Sequence, residues 1–286
     1  MMWRIILLLV AGFWVATVQG AELNQGPGGA IKAAPVPQRV ISLLPSLTEM
    51  VCALGQCHRL VGVDRYSNYP AQVRALPQLG GGLDPNIEAM VALKPDLVLI
   101  ADSSAAAAGR LRALGIQVLA LEPKTHADVR AALTTLGQVF DVSDPQRSWR
   151  DIESGMRSAK SLLAHRQPPT RVYFEVNAAP YAAGESSFIG ETLTRLGVKN
   201  IVPAHLGAFP KINPEMVVRA DPDVLMVSDG TFSGIAGRPG WSRLRAIAQG
   251  RVCVFTPEQS DVMVRPGPRM AEAAHAIAKC LKDKAP

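Results

Sequence analysis

The sequence predicts an α/β protein with two lobes, each built on a parallel central sheet, joined by one long rigid α-helix. Three observations support this prediction. A motif containing Asn, Glu, Pro and Asp begins at Asn86 and again at Asn213, an offset of 127 residues. Short apolar strands alternate with helical segments in both halves, and an apolar stripe runs along the segment between them. Self-similarity at about half of the chain length indicates two similar lobes rather than a solenoid.

Residues 1–20 are predicted to be a secretory signal peptide. Arg4 gives the segment a positive start, Ile5–Val18 is almost entirely apolar, and small residues follow at Gly20-Ala21. An apolar run of about 14 residues is shorter than the roughly 20 that a bilayer span requires, although a retained anchor is the alternative. Residues 21–38 are rich in Gly, Pro and Ala without periodicity, which predicts a flexible lead-in.

Residues 39–143 are assigned to the N-terminal lobe. It begins with a strand at Arg39–Leu44, which leads into a helix that Ser46 and Glu49 are expected to start as a capping box and Gly55 to end. Three further apolar segments of this lobe are predicted strands: Leu60–Val63, Leu97–Ile100 and Ile116–Leu121.

The repeated motif supplies one helix and one strand to each lobe. Asn86 and Asn213 are predicted N-caps, because an Asn side chain accepts hydrogen bonds from the first backbone N–H groups of a helix. Each helix carries a Glu near its start, Glu88 or Glu215, and stops before a Pro that a buried strand follows.

Residues 144–168 are predicted to form the connecting helix. Apolar side chains recur there at spacings of three and four: Trp149, Ile152, Met156, Ala159 and Leu163. A helix of about 21 residues would measure roughly 30 Å and allow the lobes only slight flexing. The alternative is one more packing helix within a single domain.

Residues 169–286 are assigned to the C-terminal lobe, with strands expected at Arg171–Val176 and Arg251–Phe255. Strands that alternate with helices form parallel sheets with crossover helices. Each lobe is therefore expected to be Rossmann-like.

Four cysteines would remain after cleavage of the signal peptide: Cys52, Cys57, Cys253 and Cys280. Export exposes them to oxidising conditions, so two disulfides are expected, in one of three possible pairings. Cys52 and Cys57 lie on either side of one helix C-terminus, which would leave the other two cysteines to pair. A metal site at Cys52, Cys57 and His58 would lack a fourth ligand.

Composition and motifs argue against several functional classes. A formal net charge of +6 without a Lys/Arg run does not indicate nucleic-acid binding. Gly184–Phe188 ends in Phe where a nucleophile elbow requires Gly. Gly80–Gly82 lacks the Lys of a phosphate-binding loop. The histidines are too isolated in the sequence to bind a metal. We therefore expect no catalytic residue, resident metal or cofactor. An exported α/β hydrolase that uses Ser186 or Ser187 is the remaining enzymatic alternative.

Aromatic and polar residues follow the predicted strand ends, which is where α/β sheets bind ligands. They are Tyr66, Tyr69, Tyr181, Phe209, Asp261 and Arg265. Aromatic faces suit a large flat or apolar ligand, and a carboxylate and a guanidinium add polar contacts. A single loop aromatic commonly covers a core edge, but recurrence at matching strand ends favours a shared binding site.

Several segments together resemble the helical-backbone (class III) periplasmic substrate-binding proteins of ABC importers. The resemblance covers about residues 38–283 and is carried by Arg39–Glu49, Tyr66–Pro70, the repeated motif and the central helix. It implies a monomeric periplasmic protein without catalysis. Such a protein holds a ligand between two lobes and delivers it to an inner-membrane permease dimer.

The resemblance is strongest to the cobalamin-binding members, and it assigns roles to individual residues. Glu88 and Glu215 match the surface carboxylates, one in each lobe, that bind Arg residues of the permease, although a Glu there also favours the helix dipole. The ligand positions that it matches are Tyr66, Tyr181, Phe209, Asp261 and Arg265. Gly80–Gly82 stands where the cobalamin binders have a Trp. Cys280 matches a family cysteine whose usual partner is missing, so Cys253 would replace that partner.

The function expected from these features is transport of cobalamin or a related corrinoid. Binding of a ferric siderophore or haem is the alternative within the same family. Haem iron would use a Tyr or a His as its ligand, and loss of the haem band in a Tyr66 or Tyr69 variant would favour haem. The exported hydrolase ranks last.

Overall fold

The computed structural model describes residues 35–163, 168–178 and 180–286. The predicted signal peptide and most of the predicted lead-in lie outside these ranges. Val36–Pro286 forms one compact α/β unit that contains two sheets. In the part of the chain that the structure describes, no helix is both long and apolar enough to cross a membrane.

Strands and helices alternate along the described chain, as predicted. The strands are β1 (Val40–Ser42), β2 (Leu60–Val63), β3 (Leu97–Ile100), β4 (Val118–Ala120), β5 (Arg171–Asn177), β6 (Tyr181–Ala182), β7 (Lys199–Asn200), β8 (Val224–Ser228) and β9 (Val252–Phe255). The helices are α1 (Pro45–Ala53), α2 (Ile87–Ala92), α3 (Ala105–Ala113), α4 (His126–Val139), α5 (Arg147–Ser161), α6 (Phe188–Leu196), α7 (Pro214–Ala220), α8 (Asp229–Ile235), α9 (Arg245–Ala248), α10 (Pro257–Met263) and α11 (Met270–Lys284).

The two sheets share one strand order. In the first sheet the order is β2-β1-β3-β4 and all pairs are parallel. In the second sheet β5 pairs in parallel with β7 and β8, and β8 pairs in parallel with β9. The short β6 is antiparallel to the end of β5. The order β7-β5-β8-β9 therefore repeats that of the first sheet, which confirms the predicted pair of α/β units with parallel sheets.

The Asp of the repeated motif fastens one strand to its neighbour in each sheet. The Asp96 carboxylate accepts hydrogen bonds from the backbone N–H groups of Gln38 (2.7 Å) and Arg39 (3.0 Å), just before β1. The Asp223 carboxylate accepts one from the N–H of Arg171 (2.9 Å), at the start of β5. Because each Asp directly precedes β3 or β8, the repeat aligns equivalent strands in the two sheets.

The two Asn residues of the motif cap α2 and α7, as predicted. Asn86 Oδ1 accepts a hydrogen bond from the N–H of Ala89 (3.0 Å), and Asn213 Oδ1 accepts one from the N–H of Glu215 (2.9 Å). Each cap satisfies an amide that has no partner within the helix.

The start of α1 differs from the predicted capping box. The helix begins at Pro45, which suits the first turn because it has no N–H, and the N-cap Leu44 makes no side-chain cap. Ser46 is buried inside the helix, and the Glu49 carboxylate binds the Arg269 guanidinium instead (2.6 and 2.9 Å). The capping-box prediction was wrong because this Glu serves a tertiary contact.

Helix α5 is shorter than predicted. Its 15 residues, Arg147–Ser161, measure about 22 Å, and the helix ends before residues 164–167, which lie outside the described ranges. It packs on α11 so closely that a Cβ at Gly155 would lie 2.5 Å from the Cβ of Ala271. The helix therefore connects the two sheets in the chain and is also a packing helix of the second half.

A single apolar core includes side chains from both sheets. Val40 and Leu99 of the first sheet belong to the same buried cluster as Val172 and Met226 of the second. The opposite face of each sheet has its own smaller cluster. The shared core ties the two halves together over a broad area.

Two disulfides are present, as expected. Cys52–Cys57 joins the last turn of α1 to the segment that follows, with a Cα–Cα distance of 4.1 Å. Cys253–Cys280 joins β9 to α11, with a Cα–Cα distance of 5.9 Å. All four cysteines are therefore paired.

His126 begins α4 and lies at the contact between α4 and α6. Its backbone N–H donates to Glu191 Oε2 (2.6 Å), and its ring Nε2 lies 3.0 Å from the carbonyl oxygen of Phe188. The ring contacts Trp149 edge-on, with 6.3 Å between centroids. Burial, aided by the charge of Arg195, lowers the pKa of His126 to about 4. The imidazole is thus neutral at physiological pH.

We expect the protein to lose stability as the pH falls from about 6.5 to about 4. In this range an unfolded His, with a usual pKa of 6.5, binds a proton that folded His126 does not bind. Stability from this group is complete above pH 6.5, and about 3 kcal/mol is lost by pH 4. Urea unfolding between pH 4 and 7 measures how the free energy of unfolding depends on pH. The proteins to compare are the wild type, His126→Gln and the control His275→Gln. Equal pH slopes for the wild type and His126→Gln would contradict it.

Candidate functional site

The carboxyl ends of the two sheets lie side by side. β2 ends in the loop of residues 64–70, and β9 ends at the start of α10. Asn68 Nδ2 of the loop donates to Asp261 Oδ2 of α10 (2.8 Å), and the Arg265 guanidinium donates to the carbonyl oxygen of Tyr66 (3.1 Å). We call this side of the molecule the strand-end edge. It is the position at which α/β sheets bind ligands.

The loop of residues 64–70 presents two aromatic rings to solvent. Tyr66 and Tyr69 are 60% and 46% exposed. Beneath them, the buried Asp64 carboxylate accepts hydrogen bonds from the N–H of Tyr66 (3.0 Å) and from the Ser67 hydroxyl, which also contacts Thr48 (2.9 Å). Burial raises the pKa of Asp64 against the opposing effect of these donors. The backbone is anchored while the rings face outward.

The glycine run of residues 80–82 lies against this loop. Gly80 has a φ of +90°, and a Cβ there would lie 2.4 Å from the carbonyl oxygen of Asp84. A Cβ at Gly81 would lie 3.5 Å from the ring of Tyr66. The Asp84 carboxylate pairs with Arg65, whose guanidinium lies 5.8 Å from the Tyr66 ring centroid. The first obstacle to a side chain at Gly81 is the Asp84 carboxylate, whose Oδ1 would lie 2.7 Å from the Cβ.

The structure brings Tyr66, Asp261 and Arg265 together. The Arg265 side chain is 8% exposed, and its guanidinium contacts Glu49 (3.1 Å), Asn68 (2.7 Å) and Asp261 (2.8 Å). The Asp261 side chain remains 40% exposed. Of the predicted Asp/Arg pair, the carboxylate is open to a ligand, and the guanidinium is directed against protein atoms.

Tyr181 and Phe209 lie beyond the strand ends of the second sheet. Tyr181 of β6 is 39% exposed and pairs with Lys211 in an isolated bridge. Phe209 is 36% exposed, and its ring centroid lies 5.8 Å from that of Phe188. These two residues form a second aromatic group. Within the described ranges, no hydrogen bond or ring contact joins it to the loop of residues 64–70.

Two exposed apolar residues of this edge were missed by the sequence reasoning. Phe232, 44% exposed, lies in α8 directly after β8, and the strand-end rule applied to β8 would have identified it. Leu83, 88% exposed, follows the glycine run and carries no comparable signal in the sequence. The exposed aromatic side chains of the described residues all follow carboxyl ends of parallel strands: Tyr66, Tyr69, Tyr181, Phe209 and Phe232.

A buried ion pair lies near the end of β5. The Arg238 guanidinium binds the Glu175 carboxylate through two nitrogens (2.6 and 2.8 Å), and the Glu175 side chain is fully buried. The Tyr173 hydroxyl donates to the same carboxylate (3.1 Å), and Arg238 lies over the ring of Trp241 (4.6 Å). Burial, aided by the Glu175 charge, raises the pKa of Tyr173 far above its usual value. The pair was not predicted, because nothing adjacent to either residue signals its partner.

Glu88 and Glu215 occupy equivalent exposed positions. Each lies in the first turn of its helix, α2 or α7. Neither makes an ion pair with any residue that the structure describes. Each helix leads back to the start of a parallel strand, so its N-terminus lies on the side of the strand-end edge. The structure thus offers one free carboxylate in each half.

Ser187, one of the two serines of the enzymatic alternative, has a structural role. Its hydroxyl caps α6 by accepting from the N–H of Gly190 (3.0 Å), and it donates to the carbonyl oxygen of Gly184 (2.8 Å). Ser187 is also fully buried. Among the described residues, no group of three or more His, Cys, Asp or Glu side chains could hold a metal ion.

One protein family matches most of the chain. A family model described as periplasmic binding protein matches residues 40–259. The chain belongs to this family. It is a family of substrate-binding transport proteins rather than of enzymes, and the helical-backbone fold expected from the sequence is confirmed.

Relatives of this periplasmic binding protein include a component of an ABC transporter. An ABC transporter substrate-binding lipoprotein of Bacillus subtilis, YvrC, is 28% identical over 86% of this chain and 80% of its own length. A vitamin B12-binding protein of Pectobacterium atrosepticum is 28% identical over 88% and 91%. The structure of the periplasmic heme-binding protein BhuT with two hemes superposes with a TM-score of 0.73 at 25% identity, covering 86% of this chain and 98% of that one. The protein is thus a periplasmic binding protein of an ABC transporter, which implies a membrane permease as its partner.

Proposed function

We propose that the protein binds cobalamin or a related corrinoid at the strand-end edge, between lobes formed by residues 39–143 and 169–286. The observation that carries the proposal is the placement of the exposed aromatic side chains of the described residues at this edge. Aromatic faces suit a broad ring system with an apolar surface, and the exposed Asp261 carboxylate can accept hydrogen bonds from its polar substituents. The relative named as a vitamin B12-binding protein supports the same ligand class.

Haem is the second candidate, and the phenols of Tyr66 and Tyr69 favour it specifically. Both rings are exposed in one loop, so either oxygen could reach the iron of a bound haem. The similarity to a heme-binding protein supports this candidate.

Calorimetric titration with cyanocobalamin, together with absorbance titration with haemin, tests the proposal. We expect cyanocobalamin to bind at micromolar concentration or below, and Tyr66→Ala to weaken binding about 30-fold through the loss of about 2 kcal/mol of ring contact. Tyr66→Phe keeps the ring and is expected to bind cyanocobalamin as the wild type does. The absence of cyanocobalamin binding would refute the corrinoid assignment. A haem absorbance band that disappears in Tyr66→Phe or Tyr69→Phe would establish haem instead.

We also propose that Glu88 and Glu215 dock the protein on its permease. Two carboxylates at equivalent positions of two similar halves can meet a partner with twofold symmetry. Both are exposed and free of ion pairs within the described residues, so docking breaks no internal contact. Charge complementarity would set the orientation of the complex.

The cellular location follows from the same proposal. We infer that residues 1–20 direct export and that the protein acts in the periplasm as a monomer. Two disulfides agree with an oxidising compartment. A shift in mass after secretion, measured on protein from the native host, would locate the cleavage site.

A further inference from the structure

Five polar side chains connect the two halves at the strand-end edge. We call them the interlobe latch: Glu49 of α1, Asn68 of the loop of residues 64–70, Asp261 of α10, Arg265, and Arg269 just before α11. Apart from the Asp261–Arg265 pair, whose residues are four apart, the partners of each contact are distant in sequence, so the latch is mainly a tertiary feature.

The Glu49 carboxylate is the centre of the latch. Its side chain is 2% exposed and is shared by two guanidinium groups, those of Arg265 (3.1 Å) and Arg269 (2.6 Å). Arg269 binds it through two nitrogens, a planar arrangement that fixes direction as well as distance. Glu49 belongs to the first half and the two arginines to the second, so this carboxylate holds the halves in one relative position.

The second part of the latch contacts the loop of residues 64–70. Arg265 donates to Asn68 Oδ1 (2.7 Å) and to the carbonyl oxygen of Tyr66 (3.1 Å), and Asn68 Nδ2 donates to Asp261 (2.8 Å). The guanidinium of Arg269 lies 4.1 Å from the ring centroid of Tyr69. Both tyrosines are therefore positioned by groups of the other half of the protein.

We propose that the interlobe latch is a positioning device that sets Tyr66 and Tyr69 for ligand binding, with Arg265 acting through the loop rather than on the ligand. The proposal rests on the proposed function, because it assumes that a ligand stacks on these rings. Buried ion pairs contribute little net stability after desolvation, but they can specify one geometry. A loop ordered in advance loses less conformational freedom on binding, so the ligand binds more tightly.

Two variants separate positioning from general stability. Asn68→Ala removes the side-chain contacts of the loop with Arg265 and Asp261, keeps the contact of Arg265 with the Tyr66 carbonyl oxygen, and leaves the charged latch residues paired with one another. Its Tm is therefore expected to stay within about 2 °C of the wild type. Glu49→Gln keeps the shape of the side chain, removes the shared charge, and is expected to have the larger effect on loop and fold alike. Asp144→Asn is the matched control, because it breaks an exposed ion pair with Arg150 far from the latch in sequence.

Hydrogen–deuterium exchange of the ligand-free proteins measures loop order without reference to any ligand. We expect amides of residues 64–70 to exchange at least tenfold faster in Asn68→Ala and Glu49→Gln than in the wild type or Asp144→Asn. Calorimetry with cyanocobalamin is expected to show at least tenfold weaker binding in the same two variants and unchanged binding in the control.

The outcomes distinguish the two proposals. Unchanged loop exchange would overturn the latch, whatever the affinities. Faster exchange with wild-type affinity for cyanocobalamin would overturn the positioning role. If the wild type binds neither cyanocobalamin nor haemin, the proposed function fails, and the exchange measurement alone then decides whether the latch orders the loop.

Discussion

Uptake is expected to fall below a tenth of the wild-type rate when Glu88 and Glu215 are both replaced by alanine. Each substitution removes one of two equivalent carboxylates, and loss of a charge partner at a protein interface costs about 2–5 kcal/mol. Both side chains are exposed and unpaired within the described residues, so folding loses only the modest interaction with the helix dipole. Ligand affinity is therefore expected to stay within about twofold of the wild type.

The measurement is uptake of radiolabelled cyanocobalamin by cells of the native host in which the variant replaces the wild-type chain. Asp151→Ala combined with Asp283→Ala is the matched control, because it removes two exposed carboxylates from α5 and α11 and changes the net charge equally. Normal uptake by the Glu88/Glu215 variant would refute docking through these residues. Weakened cyanocobalamin binding in calorimetry would place them at the ligand instead.

The elements that could be predicted are those whose signals lie within a few residues of each other. Asn86 and Asn213 cap helices through backbone amides two or three residues away, and the apolar runs after them become β3 and β8. The same strand order in both sheets follows from the repetition of these local units. The strand-end aromatics could be found because the position of binding sites in α/β sheets depends on topology alone.

The parts that could not be predicted depend on partners far apart in the chain. Glu49 stands where a capping box would place it, yet its carboxylate binds Arg269, 220 residues away. The pattern around Asp261 and Arg265 indicates polar groups at a strand end, but nothing nearby shows that the arginine faces Asn68 and Glu49. A local motif predicts the residue types at a site and leaves their direction to tertiary packing.

Replacing Arg238 with methionine is expected to lower the free energy of unfolding by about 3 kcal/mol. The substitution leaves the carboxylate of Glu175 fully buried without its cation, with only the Tyr173 hydroxyl as a donor. Loss of one partner of a buried ion pair costs about 3–5 kcal/mol, and the 17% exposure of the Arg238 side chain places this pair at the lower end. A chain of this size should lose about 6–12 °C in Tm.

Differential scanning calorimetry of Arg238→Met beside Arg245→Met tests this expectation. Arg245 likewise pairs with a carboxylate, that of Asp221, but the Arg245 side chain is 54% exposed. Its replacement should therefore lower the free energy of unfolding by less than about 1 kcal/mol. Adding Glu175→Gln to Arg238→Met removes the stranded charge and keeps an acceptor for Tyr173, so the double variant should recover at least half of the loss. If Arg238→Met loses no more stability than Arg245→Met, the pair is not a buried electrostatic contact. If the double variant is as unstable as the single one, the loss comes from packing against Trp241 rather than from charge.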